Sequence, residues 1–291
     1  MTALVPPADL VSSAWLADHL GDPRLVVLDA TVVGSETAAG FRWLSGLDAH
    51  LVDGHVTGAV HADLLEEFSE PGTGPLVFTR PDLDRLARAA REVGIDDTTT
   101  VVVYDTAVGQ WAARLWWLLR SAGFARVALL DGGLGAWRAA GGEVRTGYEP
   151  PREAGPLTLA GAEQYWADRD EVRRIVDGDA PGSLVCAAPA SDFRGETGRR
   201  ERKGHIPGSV SVPVVAVLDR DDRTYLRDDA LEGALVPVAD GGRVVVYCGA
   251  GIAAAATGFA LRLAGRTDVA VYDGSLDEWA ADPAAPIVSL A

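Results

Sequence analysis

Short runs of β-branched residues without polar alternation recur along the chain. Residues 101–103 and 244–246 both read Val-Val-Val, and each run is followed by a tyrosine and then by Asp105 or Cys248. A strand with one solvated face alternates in polarity, whereas a strand buried on both faces does not. The pattern therefore predicts two central strands of parallel sheets, one leading to Asp105 and one to Cys248.

A glycine-rich turn and a helix are predicted to follow the second of these strands. Gly249 and Gly251 permit a tight turn whose N–H groups point inward. The alanine-rich run 252–264 is strong helix-forming sequence, and Gly265 ends it. Cys248 is thus expected at the head of a strand–turn–helix unit.

The first half of the chain also carries helical patterns. Apolar residues recur at the spacing of one helix face over 82–93, between Pro81 and Gly94. A second helix is predicted over 110–122, closed by Gly123. Strands that alternate with helices are typical of a mainly parallel sheet with helices on both faces, so the expected fold class is α/β.

The chain contains the same pattern twice in the same order. Four pairs of segments match: 25–30 with 183–187, 54–60 with 204–210, 101–105 with 244–248, and 131–137 with 273–279. Their spacing changes gradually, from 157 residues between Asp29 and Cys186 to 142 residues between Trp137 and Trp279. Duplication of one domain explains this preserved order.

Length and turn residues locate the boundary between the two copies. A chain of 291 residues can form two ordinary domains. Residues 143–156 are rich in turn formers and show no periodicity, which is typical of a linker. We therefore predict one domain over 1–144 and a second, which carries Cys248, over 157–291.

Charge and cysteine content narrow the possible partners. The net charge of −16 argues against nucleic acid or an anionic membrane surface as the main partner. The sequence shows neither a signal peptide nor an apolar run of membrane-spanning length. Two cysteines are too few for a disulfide framework or a four-cysteine zinc site. We expect a cytoplasmic protein that needs no metal or other cofactor.

Cys248 is the candidate nucleophile. Unpaired amides and the positive end of a helix both favour a thiolate over a thiol. The alternative is a small core residue, because free cysteine is among the most buried residue types. Cys186, on a predicted strand, fits that core role, with a resolving thiol as its alternative.

The loop and the repeats together resemble the rhodanese family of sulfurtransferases. The closest loop form in that family is Cys-Gly-Ser/Thr-Gly-Val-Thr-Ala, and residues 248–254 here read Cys-Gly-Ala-Gly-Ile-Ala-Ala. Gly-His-Ile-Pro-Gly at 204–208 and Asp-Gly-Gly-Leu-Gly-Ala-Trp at 131–137 extend the resemblance over nearly the whole chain. It implies two tandem rhodanese-like domains, of which the first, with Asp105 at the cysteine position, is inactive and the second is catalytic.

The resemblance also implies an anion site in the loop. The amides expected to hold the outer sulfur of a Cys248 persulfide are those of Gly249, Ala250, Gly251, Ile252, Ala253 and Ala254. Asp105 is expected to form a structural pseudo-site, in which it accepts hydrogen bonds from the turn that follows it. His55 and His205 begin strands in both copies and are expected to be structural.

Several polar groups of the family are missing. Residues 186–188 read Cys-Ala-Ala where the family has Asp-Ala-Arg, and Asp192 precedes Phe193 where it has a substrate-binding arginine. The replacements predicted here are Arg194, Arg199 and Arg200. The alternative is that their segment is a solvated loop paired with its own glutamates. The resemblance also implies a first-copy Asp and His that assist a loop serine. Asp63 is the candidate for the Asp, but residues 76–80 read Leu-Val-Phe-Thr-Arg where the histidine is expected, and Ala250 replaces the serine, so the relay is expected to be absent.

These features predict a sulfurtransferase that moves sulfane sulfur from thiosulfate or 3-mercaptopyruvate through a Cys248 persulfide to a thiol or cyanide. The donor is a small anion, and the acceptor is a small thiol or a thioredoxin-like protein. The missing groups predict low activity with both donors. They leave open a catalytically degenerate, rhodanese-like binding or regulatory module. A thiol phosphatase ranks last, because Ala254 stands where its Cys-x5-Arg motif needs the arginine.

Overall fold

Both valine runs lie at the centre of five-stranded parallel sheets in the protein's structure, a computed structural model. The structure describes residues 4–37, 40–71, 76–238 and 241–291. The chain divides into two compact units: the first comprises Met1–Pro71, Arg80–Gly161 and Asp221–Thr224, and the second Gly72–Thr79, Ala162–Arg220 and Tyr225–Ala291.

The first unit contains one parallel sheet, a hairpin and helices around the sheet. Its described strands are β1 Leu10–Val11, β2 Leu25–Asp29, β3 Val32–Thr37, β4 Gly40–Ser45, β5 His55–Val56, β6 Val60–His61, β7 Thr100–Tyr104, β8 Val127–Leu130 and β9 Val144–Arg145. Its described helices are α1 Ser13–His19, α2 Leu47–Val52, α3 Leu83–Glu92, α4 Gln110–Ser121 and α5 Gly133–Ala139. The sheet has the order β1-β8-β7-β2-β6, with all pairs parallel.

The second unit repeats this arrangement. Its described strands are β10 Trp166–Ala167, β11 Ser183–Cys186, β12 Val210–Ser211, β13 Val244–Tyr247 and β14 Val269–Tyr272. Its described α-helices are α6 Arg169–Asp177, α7 Ala190–Arg194, α8 Asp228–Leu235, α9 Ile252–Leu263 and α10 Ser275–Trp279, with 3-10 turns at Glu163–Tyr165 and Val214–Val217. The sheet order, β10-β14-β13-β11-β12, matches the first unit strand for strand, which confirms the α/β class and the duplication.

Burial explains why the valine runs show no polar alternation. Val101 to Val103 in β7 are fully buried, and Val244 to Val246 in β13 are at most 1% exposed. Each strand pairs with a parallel neighbour along both edges, and its side chains are buried on both faces, which favours apolar residues at every position. Helix α4 packs on β7 and β8, and α9 packs on β13 and β14.

The tyrosine after each valine run has the same structural role in both units. The Tyr104 hydroxyl accepts a hydrogen bond from Val56 N–H at 3.1 Å, and the Tyr247 hydroxyl accepts one from Ile206 N–H at 3.0 Å. Both donors directly follow the histidine of a Gly-His segment. The repeat of this segment therefore reflects a buried link between it and the central strand.

The two histidines of those segments each form a hydrogen bond with a backbone carbonyl of their own unit. The Nδ1 atom of His55 lies 2.9 Å from the His50 carbonyl oxygen, and its ring stacks on His50. The Nδ1 atom of His205 lies 2.7 Å from the Phe193 carbonyl oxygen, and its ring stacks on Phe193. This geometry agrees with the structural role expected for both.

The predicted linker is bonded to the first unit. Its beginning, β9, pairs antiparallel with β5. Further along, Arg152 Nη1 donates to Asp96 at 2.6 Å, and Gly155 N–H donates to the same carboxylate at 2.9 Å. The domain limits 1–144 and 157–291 stay predictions. Within the described ranges, no helix is long and apolar enough to cross a membrane.

Candidate active site

Cys248 lies directly after the end of β13, the central strand of its sheet. The carboxyl edge of a parallel α/β sheet is where such folds place their ligands. Gly251 has φ +76°, a left-handed conformation that disfavours other residues, and it caps the start of α9. Strand, turn and helix therefore follow one another as predicted, and the thiol residue is 4% exposed.

The amides at the start of α9 follow Cys248 closely in sequence and include open donors. The first N–H groups of any helix lack an intrahelical acceptor. In the part of the chain that the structure describes, the amides of Gly251, Ala253 and Ala254 donate to no protein acceptor. The helix N-terminus adds partial positive charge. The Cys248 loop (residues 248–254) is thus a nest of donors suited to an anion.

Residues 275–277 fix the backbone of this loop. Cys248 N–H donates to the hydroxyl of Ser275 at 3.1 Å, and Leu276 N–H donates to the Cys248 carbonyl at 3.1 Å. Asp277 N–H donates to the Gly249 carbonyl at 3.0 Å. Both peptides at the nucleophile are therefore held by one short segment, the start of α10.

Ser275, which holds the Cys248 amide, was not singled out from the sequence. It is fully buried, has φ +49°, and donates its hydroxyl to the Tyr272 carbonyl at 2.8 Å. A non-glycine residue with positive φ stores strain that surrounding contacts must hold. The available signal was the repeat itself, in which Asp273-Gly-Ser-Leu matches Asp131-Gly-Gly-Leu.

Of the three predicted arginines, Arg200 lies against the loop. An ideal Cβ on residue 249 would lie 2.7 Å from Arg200 Nη2, so the guanidinium covers the position that Gly249 leaves empty. Arg200 also donates from Nε and Nη2 to Asp277 Oδ1, at 2.7 and 2.6 Å. A positive charge therefore lies beside the cysteine loop.

Arg194 and Arg199 have a different environment. Arg194 donates from Nε and Nη2 to Glu196 at 2.6 and 2.8 Å, and both side chains are nearly half exposed. This is the internal pairing that the alternative interpretation of the segment describes. Arg199 is exposed. Their predicted contact with a substrate stays a prediction.

Arg202, in the same segment, was not singled out from the sequence. Its guanidinium donates to the carbonyl of Asp282 at 2.6 Å and to that of Ala285. It thereby ties the basic segment to the end of the chain. Sequence offers no signal for such a contact, because the partners are backbone oxygens about eighty residues away.

Cys186 ends β11, beside β13, and is fully buried. Burial raises the pKa of its thiol to about 12, because the charged form is poorly solvated there. A thiol that stays protonated is a poor nucleophile. The geometry therefore agrees with the core role of Cys186.

The first unit has a carboxylate at the position of the cysteine. Asp105 Oδ1 accepts from the amides of Ala107 and Gly109 at 2.8 and 2.9 Å, and Oδ2 accepts from those of Trp111 and Ala112 at 2.9 and 3.1 Å. The pseudo-site hydrogen bonds expected from the sequence are thereby present. Burial raises the pKa of Asp105, and the four amides oppose that shift.

Asp63, the candidate for the relay, holds a turn of the first unit. Its Oδ1 accepts from the amides of Leu65 and Glu66 at 2.9 and 3.1 Å. These bonds give the carboxylate a local structural function. Its predicted part in catalysis stays untested.

Comparison with known proteins identifies the family. The family model described as Rhodanese-like domain matches residues 12–140 and 167–282. The Mycobacterium tuberculosis (strain H37Rv) protein named "Putative thiosulfate sulfurtransferase SseB" is 36% identical over 96% of both chains. The 3-mercaptopyruvate sulfurtransferase of Escherichia coli K12 is 29% identical over 95% of this chain and 96% of its own. The chain therefore belongs to the rhodanese family.

Solved structures agree with this assignment. The crystal structure of SseA from Escherichia coli, which is described as a 3-mercaptopyruvate sulfotransferase, superposes with a TM-score of 0.80 at 28% identity. The match covers 92% of this chain and 98% of that one. Both copies of the repeat are thus part of the shared architecture.

Proposed function

We propose that the protein is a sulfurtransferase in which Cys248 carries the sulfur. The Cys248 thiolate attacks the outer sulfur of thiosulfate, the S–S bond of the donor breaks, and sulfite leaves with the electron pair. With 3-mercaptopyruvate the C–S bond breaks instead, and the carbon takes a proton as pyruvate forms. An acceptor thiolate or cyanide then removes the outer sulfur and returns Cys248 to the thiolate.

One observation carries this proposal. Three backbone amides of the first unit donate hydrogen bonds to a carboxylate, whereas the equivalent amides of the second unit have no acceptor among the described residues. Counted from the left-handed glycine that caps each helix, the amides of Gly109, Trp111 and Ala112 correspond to those of Gly251, Ala253 and Ala254. The first set holds the Asp105 carboxylate. The second set, with no acceptor among the described residues, is suited to hold a persulfide anion on Cys248.

Arg200 is the best candidate for the cation that orients the donor. It lies against Gly249, next to the nucleophile, and its Nη1 has no hydrogen-bond acceptor among the described residues. A charge-assisted bond to the carboxylate or sulfonate end of the donor is the expected contact. Arg194 and Arg199 would then attract the donor from a distance.

The neutral side chains of the loop set the expected level of activity. Ala250 and Ala253 offer no hydroxyl to a donor, so we expect weak turnover with both thiosulfate and 3-mercaptopyruvate, with the latter slightly preferred. Because charge steers the donor, activity should fall as salt increases. The proposed acceptor is a small thiol or a thioredoxin-like protein in the cytoplasm, where both cysteines remain reduced.

A single-turnover experiment tests the proposal. The protein is mixed with a limiting amount of each donor, and sulfite or pyruvate release is measured before and after addition of a thiol acceptor. Stoichiometric release, followed by transfer to the acceptor, is the expected result. A folded protein that releases neither product with either donor is instead a degenerate binding module, which the apolar loop also accommodates.

A further inference from the structure

Asp277 places a carboxylate beside the cysteine loop that the proposed chemistry does not require. Its amide donates to the Gly249 carbonyl at 3.0 Å, which fixes the residue to the loop backbone. Its Oδ1 accepts both Nε and Nη2 of Arg200. The two side chains are 22% and 23% exposed, so solvent screens them only in part.

The geometry of the pair leaves one edge of the guanidinium for a ligand. Asp277 occupies the Nε–Nη2 edge, whereas Nη1 has no acceptor among the described residues. Nη2 lies over Gly249. An anion that approaches Cys248 and binds the Nη1–Nη2 edge therefore meets a cation that already has an anionic neighbour.

The net charge of the Arg200–Asp277 pair is zero. This affects the relative kcat/KM of donors that differ in charge. The two charges act in opposite directions on an anionic donor, and each effect scales with the charge of the donor. Asp277 therefore cancels part of the attraction to Arg200, and the attraction that it cancels is about twice as large for a dianion as for a monoanion.

We propose that Asp277 is a specificity-determining residue, which favours sulfur donors with a single carboxylate over dianionic donors such as thiosulfate. This inference rests on the proposed sulfur transfer. It assigns donor choice to a residue that lies 29 positions after the cysteine, outside the loop itself.

The substitution Asp277→Asn tests this directly. Asparagine keeps an oxygen that can accept from Arg200 and keeps the shape of the side chain, while the charge is lost. We expect the ratio of kcat/KM for thiosulfate to that for 3-mercaptopyruvate to rise about tenfold at low ionic strength. An unchanged ratio overturns the inference.

The matched control is Asp268→Asn. Asp268 also pairs with an arginine, Arg243, at 2.9 Å, but it precedes β14 and so lies at the amino edge of the same sheet. Cys248 follows β13 at the carboxyl edge, about 13 Å away along four strand residues. The donor ratio of this variant should equal that of the unchanged protein. A ratio that rises as much as in Asp277→Asn shows a general effect of net charge and overturns the inference.

A second measurement does not depend on sulfur transfer. Alkylation of Cys248 by anionic iodoacetate is compared with alkylation by neutral iodoacetamide, and their rate ratio reports the charge that an approaching anion meets. Asp277→Asn should raise this ratio roughly threefold or more, and Asp268→Asn should leave it unchanged. If neither donor forms a persulfide but this ratio rises, the proposed function fails and donor choice fails with it, while the effect of Asp277 on anions that approach Cys248 is confirmed. If Asp277→Asn leaves the ratio of the two alkylation rates unchanged, the role of Asp277 is contradicted, whether or not the protein transfers sulfur.

Discussion

The Asp105 loop (residues 105–112) and the Cys248 loop (residues 248–254) are two versions of one structure. Each follows a buried Val-Val-Val-Tyr strand and leads through a left-handed glycine into a helix, with φ +74° at Gly109 and +76° at Gly251. In the first loop the helix amides bind the side chain of the loop itself. In the second loop, the equivalent amides have no acceptor within the described parts of the chain.

This difference shows how the same backbone can either cap a helix or bind a ligand. A carboxylate that fills the nest stabilises the fold and leaves no donors for an external anion. A thiol leaves the donors available and supplies a nucleophile at their centre. The loops also differ in length, since three residues separate Asp105 from Gly109 and two separate Cys248 from Gly251. Exchange of one side chain should therefore not convert one loop into the other.

The largest expected effect is on stability and comes from removal of the Asp105 carboxylate from its loop. Asp105→Ala removes the acceptor of four amides at a buried position, and we expect unfolding free energy to fall by about 3 kcal/mol or more. Asp105→Asn keeps one acceptor oxygen and should lose less. Urea unfolding measures both, with Cys248→Ala as the control that should be nearly neutral. Equal stability of Asp105→Ala and the unchanged protein would show that the filled nest is not a stabilising cap.

The next effect concerns the cation beside the open nest. Arg200→Ala should reduce kcat/KM roughly ten- to hundredfold with either donor, because a charge-assisted bond next to Cys248 is lost. Arg194→Ala should cost no more than about threefold, because that side chain is exposed and paired with Glu196. Steady-state kinetics at low salt compare the two. If the two variants lose kcat/KM equally, the basic segment as a whole attracts the donor and Arg200 has no special contact with it.

A smaller effect is expected at Ser275, the counterpart of Gly133 in the first unit. Ser275→Ala keeps the positive φ but leaves the Cys248 amide without its acceptor, so stability should fall by about 1–2 kcal/mol. Ser275→Gly relieves the backbone strain and should lose less, while both variants slow single-turnover transfer severalfold. Urea unfolding together with rapid-mixing kinetics checks this. A Ser275→Ala variant as stable as the unchanged protein contradicts the assigned hydrogen bond.

Local patterns were sufficient to predict the elements around the nucleophile. The helix predicted over 252–264 is Ile252–Leu263, and that predicted over 82–93 is Leu83–Glu92. Both are bounded by residues with clear conformational preferences, a left-handed glycine in one case and an Asp82 cap in the other. The internal repeat predicted two copies of one domain, and the two five-stranded sheets have equivalent strand orders.

One hairpin and several contacts between residues far apart in sequence were not predicted. The β3–β4 hairpin was missed, although residues 40–45 alternate between exposed and half-buried positions. Trp43 of that hairpin packs edge-on against Trp111 of α4, a contact that only the folded chain creates. Arg200 and Asp277 are likewise 77 residues apart in sequence, and nothing near either position indicates their ion pair. The cation was therefore predicted as a group of three arginines rather than as one.

Location of the persulfide tests the central claim, that only the open nest carries sulfur. The unchanged protein, Cys248→Ser and Asp105→Cys are each incubated with excess donor, and intact mass and peptide mass are measured. We expect a gain of about 32 Da per chain, located on Cys248, in the unchanged protein and in Asp105→Cys, and no gain in Cys248→Ser. Sulfur on Cys186, a second persulfide in Asp105→Cys, or a gain that survives Cys248→Ser would contradict the account.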